Sequence, residues 1–404
     1  MQPLLIGHGG GMSRQTRVLA VLVAVLLVAG LAAAVVRDDD SALTAGTTST
    51  STTAAGDTTS TSAPAGATEA AIAEIEAFVA KARGLPFKHR VEVTLLDDAA
   101  FRARLAEDDD VDREELEKTT KVLRALDLIG EDVDLEEASK SLLSDAVLGF
   151  YDFEKDEMVI RGATLTPGVR QTLAHELTHA LQDQHFELDR PDLEKRDDEA
   201  ELGFTGLVEG DARRIENQYA ATLSKADREK AKKQTTTSEI DPDIPEVLLQ
   251  SLAMPYVFGP PFAERVVADG GQARIDEAFK SPPTTSEHIL HPETFLRGEG
   301  PLPVADPPAD GQVFDRGVVG EFGIVLILGD DIGGAELRRA INGWGGDRYV
   351  AWDAGGRSCV RASFAMDTAK DNDELRGSLR KWASKHDATV TGAATEPVTL
   401  TSCR

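Results

Sequence analysis

The sequence predicts an α+β fold that is mostly helical, with a small antiparallel hairpin before one central helix and a small α+β module at the C-terminal end. Three observations predict it. Apolar residues recur at helical spacing through most of 68–280. Two β-rich runs, 147–153 and 157–161, flank the polar turn Glu154-Lys155-Asp156. From Asp347 onward, short β-rich runs replace the long helical pattern.

The elements follow in order. Thr68 opens a helix over 68–82, and 91–96 reads as a strand. Helices are expected at 98–106, where Asp98 is a fitting N-cap, and at 112–128 and 135–144. After the hairpin, Pro167 stands where proline is tolerated, at the first position of a helix that runs to about His185. Another long helix covers 197–224, and a polar break follows over 227–238. Helices then fill 245–270 and 272–280, with Gly259-Pro260-Pro261 expected to break the first. The run 318–328 is apolar enough to be buried. Strands near Tyr349, over 359–365 and near Val390 and Val398 surround a helix at 372–386.

The chain has 404 residues, 43 Lys+Arg against 70 Asp+Glu, and a net charge of -27. Such an acidic balance, with no basic stripe, excludes a protein that grips nucleic acid by neutralising phosphates. It fits a well-solvated surface.

The N-terminal part addresses the chain to a membrane. Residues 18–36 form an unbroken run of apolar and small residues. Nineteen residues at helical rise span roughly 28 Å, close to the hydrocarbon thickness of a bilayer. Arg14 and Arg17 precede the run, and Asp38, Asp39 and Asp40 follow it, which orients 1–17 to the cytoplasm and the rest outside. A cleaved signal peptide is the competing reading, with Ala32-Ala33-Ala34 as the cleavage site and a secreted product. Residues 37–67 are a Ser/Thr/Ala/Gly-rich linker that cannot offset its ordering entropy. The remainder divides into a main domain, 68–335, and the C-terminal module, 336–404. Residues 68–145 read either as part of the main fold or as a regulatory segment. The two cysteines, Cys359 and Cys403, are expected to form a disulfide in an oxidising compartment. Nothing in the sequence speaks to oligomeric state.

One segment carries chemistry. His175-Glu176-Leu177-Thr178-His179 is an HExxH motif in the middle of the helix after Pro167. At about 100° per residue, Leu173, Ala174, Leu177, Ala180 and Leu181 share one face. His175 and His179 lie on the opposite side, one turn apart, so both imidazoles can converge on one zinc ion. Glu176 is rotated off the pair and is placed to act as a general base. A catalytic zinc usually has a third protein ligand. The next helix offers Glu199, Glu201, Glu209 and Glu216. Glu209 is favoured because it sits in the least polar stretch, Phe204-Thr205-Gly206-Leu207-Val208-Glu209-Gly210-Asp211-Ala212, where a carboxylate needs a partner. Glu199 and Glu201 lie in a charged run and are expected to be solvated. Gly206 and Gly210 permit close helix–helix approach.

HELTH followed by LVEGDA resembles the gluzincin-type zinc metallopeptidases, which carry HExxH on one helix and a glutamate on the next. The correspondence runs over His175, Glu176, His179, Leu207, Glu209, Gly210 and Ala212. Gly206 stands where an aromatic is usual, and the gap from His179 to Glu209 is longer than in well-known members. More widely, the segments YDF…MVIRG, HELTHALQDQHF, EGDA, PPTTSEHILHPE and WGGDRY resemble uncharacterised membrane-anchored bacterial metallopeptidases. The resemblance implies a zincin-like catalytic domain with one zinc ion held by His175, His179 and Glu209. It implies hydrolysis of peptide or protein substrates by a zinc-activated water, with Glu176 as general base. It also implies that an extended peptide adds to the hairpin strand at 157–161.

The oxyanion donor is open. His288 and His291, three residues apart, are the first candidates, with orienting a metal ligand as their alternative role, and Tyr151 and Tyr256 are weaker ones. Asp183 or Asp211 can serve as acceptor for a ligand histidine. His185 reads as a helix-end residue, and His89 and His386 have no partner legible in sequence. Two other functions fit the same sequence: a catalytically inactive envelope protein that binds a partner, and a zinc hydrolase acting on a non-peptide amide or ester.

Overall fold

A computed structural model describes residues 65–107, 112–152, 155–194, 196–235, 241–393 and 396–404. The apolar run 18–36 and the linker up to residue 64 lie outside the described residues. Among the described residues, no helix is long and apolar enough to cross a membrane. The fold is α+β.

The first half places one helix between a sheet and a second helix. Helix α1 (Ala65–Arg83) leads to strand β1 (Glu92–Leu96), followed by α2 (Asp98–Glu107), α3 (Arg113–Ala125) and α4 (Leu135–Ala146). Asp112 and Asp134 cap α3 and α4 by accepting backbone N–H groups of their first turns. Strands β2 (Gly149–Asp152) and β3 (Glu157–Arg161) form the expected hairpin, with Phe150 opposite Val159. The sheet is mixed rather than antiparallel, because β1 joins it parallel to β3, with Val93 opposite Met158. The order β1-β3-β2 makes β3 the central strand. Both its edges are hydrogen-bonded, so the expectation that a peptide adds to 157–161 is corrected. Alternation along β3 sends Met158 and Ile160 to one face and Val159 to the other.

Met158 and Ile160 pack on helix α5 (Pro167–Phe186), against Leu173, Ala174, Leu177, Ala180 and Leu181. Thr166 caps α5 through Val169 N–H, with Pro167 in the first turn. Every residue of α5 from Thr172 to Gln182 is buried. After the short α6 (Pro191–Glu194) comes α7 (Asp198–Thr222), capped by Asp197. The polar stretch beyond it folds as α8 (Lys225–Thr235), which corrects the expected break over its described part. Its Lys, Glu, Ala and Arg residues favour helix, Ala231 is buried, and the Gln234 side chain accepts from Gly168 N–H at 2.9 Å.

Helix α9 (Glu246–Lys280) runs through Gly259-Pro260-Pro261 without breaking. The non-helical residues are Gly270 and Gly271 (φ 72°), at the expected division between 245–270 and 272–280. The prolines remove a few helical hydrogen bonds, but α7 and α9 touch backbone to backbone here. A Cβ placed on Gly210 would lie 2.2 Å from the Gly259 carbonyl oxygen, and one on Gly259 would lie 2.4 Å from that of Gly206.

The short helices α10 (Ser286–Leu290) and α11 (Pro292–Arg297) lead to strand β4 (Gln312–Gly317), α12 (Gly320–Leu328) and α13 (Gly334–Ile341). Strands β5 (Trp344–Ala354) and β6 (Arg357–Met366), helix α14 (Ala369–Ala383), and strands β7 (Ala388–Thr391) and β8 (Val398–Cys403) complete the chain. The second sheet is antiparallel, in the order β4-β5-β6-β8-β7. It draws its edge strand from before residue 336. Its core is continuous with that of the helices: Phe204, Leu207, Met254 and Phe262 share one cluster with Phe322, Trp344, Phe364 and Leu400. A disulfide joins Cys359 to Cys403.

Candidate metal centre

Helices α5 and α7 cross with their most polar buried residues facing one another. His175, Glu176, His179, Glu209 and Glu216 are each at most 2% exposed. His175 and His179, one turn apart, present their rings edge to face at 4.7 Å. Glu209 meets both from α7. Its Oε2 lies 3.2 Å from His175 Nε2 and 3.4 Å from His179 Nε2, and the two Nε2 atoms are 3.0 Å apart. Among the described residues, His175, His179 and Glu209 are the one trio whose ligand atoms gather this way.

The other nitrogen of each ring fixes its role. His175 Nδ1 lies 3.0 Å from Glu216 Oε2, and His179 Nδ1 lies 3.0 Å from Gln182 Oε1. Both partners are acceptors, so both Nδ1 atoms carry the proton and donate it. A neutral imidazole protonated at Nδ1 has its lone pair on Nε2. Two such lone pairs and a carboxylate oxygen thus converge at 3.0–3.4 Å. Tetrahedral zinc with ligands at 2.0–2.1 Å requires ligand–ligand separations of roughly 3.3 Å. The donor set therefore fits a zinc ion in chemistry and in spacing.

Electrostatics lead to the same place. Burial pushes the His175 pKa down, but Glu209 and Glu216 outweigh it and raise it to about 10. Burial opposes the ionisation of Glu209 and Glu216, yet His179 beside Glu209 and Arg213 beside Glu216 hold both at about 2. The pocket prefers positive charge at its centre. Glu216 is itself held by Arg213 Nη1 at 2.6 Å and by Gln171 Nε2 at 2.6 Å.

Glu176 stands beside the trio. Neither carboxylate oxygen has a hydrogen-bond partner, although the side chain is fully buried. Burial holds its carboxyl well above the usual range, assisted by Glu209 and Glu216 and opposed by His175. Gly149 of β2 makes room for it: a Cβ there would lie 3.2 Å from Glu176 Cγ. An orphaned buried carboxyl next to a ligand trio is the arrangement a general base requires.

Residues 311–402 match a family model described as a domain of unknown function (DUF8575). No curated protein and no solved structure matches the chain. The matched region covers the C-terminal sheet and contains none of the residues of the α5–α7 centre.

The remaining candidates are engaged elsewhere. His288 donates from Nε2 to the Glu299 carbonyl at 2.8 Å and accepts from Thr284 N–H, and burial lowers its pKa. His291 bonds Glu321 at 2.8 Å, and that carboxylate raises its pKa. Neither histidine bonds a member of the trio. The segment 281–291, which includes α10, turns them toward the segment around Glu299 and toward α12. Tyr151 donates to Asp156 at 2.7 Å, while the Tyr256 ring lies 6.3 Å from the His175 ring. Asp183 accepts from Leu188 N–H and Tyr151, and Asp211 reaches His179 only through Gln182. The direct acceptors are Glu216 and Gln182. Glu216 lies seven residues after Glu209, two turns along the same face, and Gln182 lies three after His179. That spacing was readable in the sequence. Glu199, expected to be solvated, is 4% exposed, because Ser286 N–H and Oγ donate to it at 2.7 and 2.9 Å.

Proposed function

We propose that this chain is a zinc-dependent peptidase of zincin-like fold, anchored to a membrane by residues 18–36 and facing outward. The observation that supports this most is the convergence of two Nε2 lone pairs and a Glu209 oxygen next to an unpartnered Glu176. A zinc ion bound there would supply Lewis acidity and make water nucleophilic near neutral pH. His175, His179 and Glu209 would hold it, with Glu216 and Gln182 fixing the ring orientations. Glu176 takes the proton of the attacking water and returns it to the leaving amine. Burial holds the Glu176 carboxyl well above the usual carboxylate range, which favours its accepting a proton. Tyr256, whose ring lies 6.3 Å from that of His175, is the side chain we assign to approach the developing oxyanion.

A second reading, a metal-holding protein without hydrolysis, is favoured by one observation. His175, Glu176 and His179 are each at most 1% exposed, so a chain substrate reaches them only when neighbouring segments part. Glu176→Gln in the full-length chain separates the two. A peptidase keeps its zinc and loses at least about 100-fold of its cleavage of an unstructured protein substrate. Equal turnover, or none in either form, counts against the peptidase.

A further inference from the structure

Arg83, at the end of α1, is completely buried in a position that the proposed hydrolysis does not explain. Its Nε donates to Asp211 Oδ2 at 2.7 Å, and its Nη1 pairs with Asp276 at 2.6 Å. The guanidinium also lies 5.7 Å from the ring centroids of Phe186 and Phe279. Asp211 Oδ2 accepts a second bond, from Gln182 Nε2 at 3.1 Å, while Asp211 Oδ1 faces Arg214. Gln182 Nε2 also donates to the Val208 carbonyl at 3.1 Å. Two acceptors thus claim the Gln182 amide nitrogen, and its Oε1 is left to face His179 Nδ1. The hydrogen bonds run in one direction only. An acceptor-only carboxylate orients the amide, the amide oxygen takes the Nδ1 proton, and His179 Nε2 is left with its lone pair toward the trio.

We infer that Arg83 is a positioning residue for the metal centre: through Asp211 and Gln182 it fixes the tautomer and ring orientation of His179, so that metal affinity depends on helix α1. The inference rests on the zinc reading of the trio. It makes the first described helix, which follows directly on the linker, part of the centre rather than a removable regulatory segment. The geometry also divides the work. Arg214, three residues on along the same helix, holds Oδ1 instead and reaches Gln272 of α9 at 3.2 Å. Arg83 comes from 128 residues away and holds Oδ2, the oxygen that Gln182 uses.

The test is zinc affinity by chelator competition, together with the visible absorption of the cobalt-substituted full-length chain. The proteins compared are wild type, Arg83→Met, Gln182→Met and the double variant. Arg83→Met is expected to weaken zinc about 10- to 100-fold and to change the cobalt spectrum. Because Arg83 acts through Gln182, the double variant should bind zinc no more weakly than Gln182→Met alone. Arg83→Lys, which keeps the charge but loses the Nε donor, should recover part of the affinity. Wild-type zinc affinity and an unchanged cobalt spectrum in Arg83→Met, whatever its melting temperature, would overturn the inference, as would additive effects in the double variant. If Arg83→Met does not fold, Arg83→Lys decides alone: weaker zinc supports the inference and wild-type affinity overturns it. A wild-type chain that binds no zinc would instead sink the reading on which the inference rests.

Discussion

At the scale of single residues, the centre is a set of acceptors arranged so that a cation completes it. The HExxH spacing and the apolar setting of Glu209 made three of its members legible in the sequence, since helix periodicity alone puts His175 and His179 on one side of α5. Glu199 was not legible. Its neighbours in sequence are charged, and only the fold brings Ser286 and Gly320 against it. That burial gives a testable pH dependence. Burial raises the Glu199 pKa from 4.5 to about 8, with Ser286 opposing and Asp347 assisting. The folded chain then keeps a proton that the unfolded chain releases, so stability falls as pH rises from about 4.5 to about 8. Glu199→Gln can still accept from Ser286 and never ionises. Its melting temperature should match wild type below about 4.5 and exceed it above about 8. Parallel profiles of melting temperature against pH would show that Glu199 titrates normally.

Among the elements, α7, which carries Glu209 and Glu216, meets α9 backbone to backbone. Gly206 and Gly210 signalled a close approach in the sequence, but their partner, Gly259, sits in a Gly-Pro-Pro run that reads locally as a break. The contact outweighs the local preference, as tertiary packing commonly does. The polar α8 was hidden for the opposite reason: its helix propensity is high, but it lacks the apolar stripe by which a buried helix is recognised. The position of β1 beside β3 was also not legible, because parallel pairing between distant segments leaves no local turn signal. Gly210→Ala tests the contact. Its Cβ would press on the Gly259 backbone, which cannot rotate away as a side chain can. A loss of about 2 kcal/mol or more in chemical denaturation is expected. Because Glu209 is the preceding residue, weaker zinc binding should accompany it. Unchanged stability would mean that the helices separate easily here.

For the whole molecule, one hydrophobic cluster runs from α7 and α9 into the C-terminal sheet. The sequence suggested a separate module because its strand periodicity begins near Asp347, whereas packing ignores that change of period. The disulfide between β6 and β8 was legible from composition, and it closes a loop with a sequence separation of 44 residues. In the chain-entropy model its loss costs about 4 kcal/mol. The Cys359→Ser/Cys403→Ser variant should therefore unfold at lower denaturant. The continuous core further predicts that zinc release and the fluorescence of the three tryptophans, all in the C-terminal part, change together. Zinc release in a separate, earlier transition would mean that the two parts unfold independently.

The measurement that bears most directly on the central claim is the zinc content of the purified full-length chain beside its His179→Ala and Glu209→Ala variants. The account predicts close to one equivalent in wild type and loss of it in both variants, with folding retained. Wild type without zinc, or a Glu209→Ala variant that keeps its full complement, would contradict it.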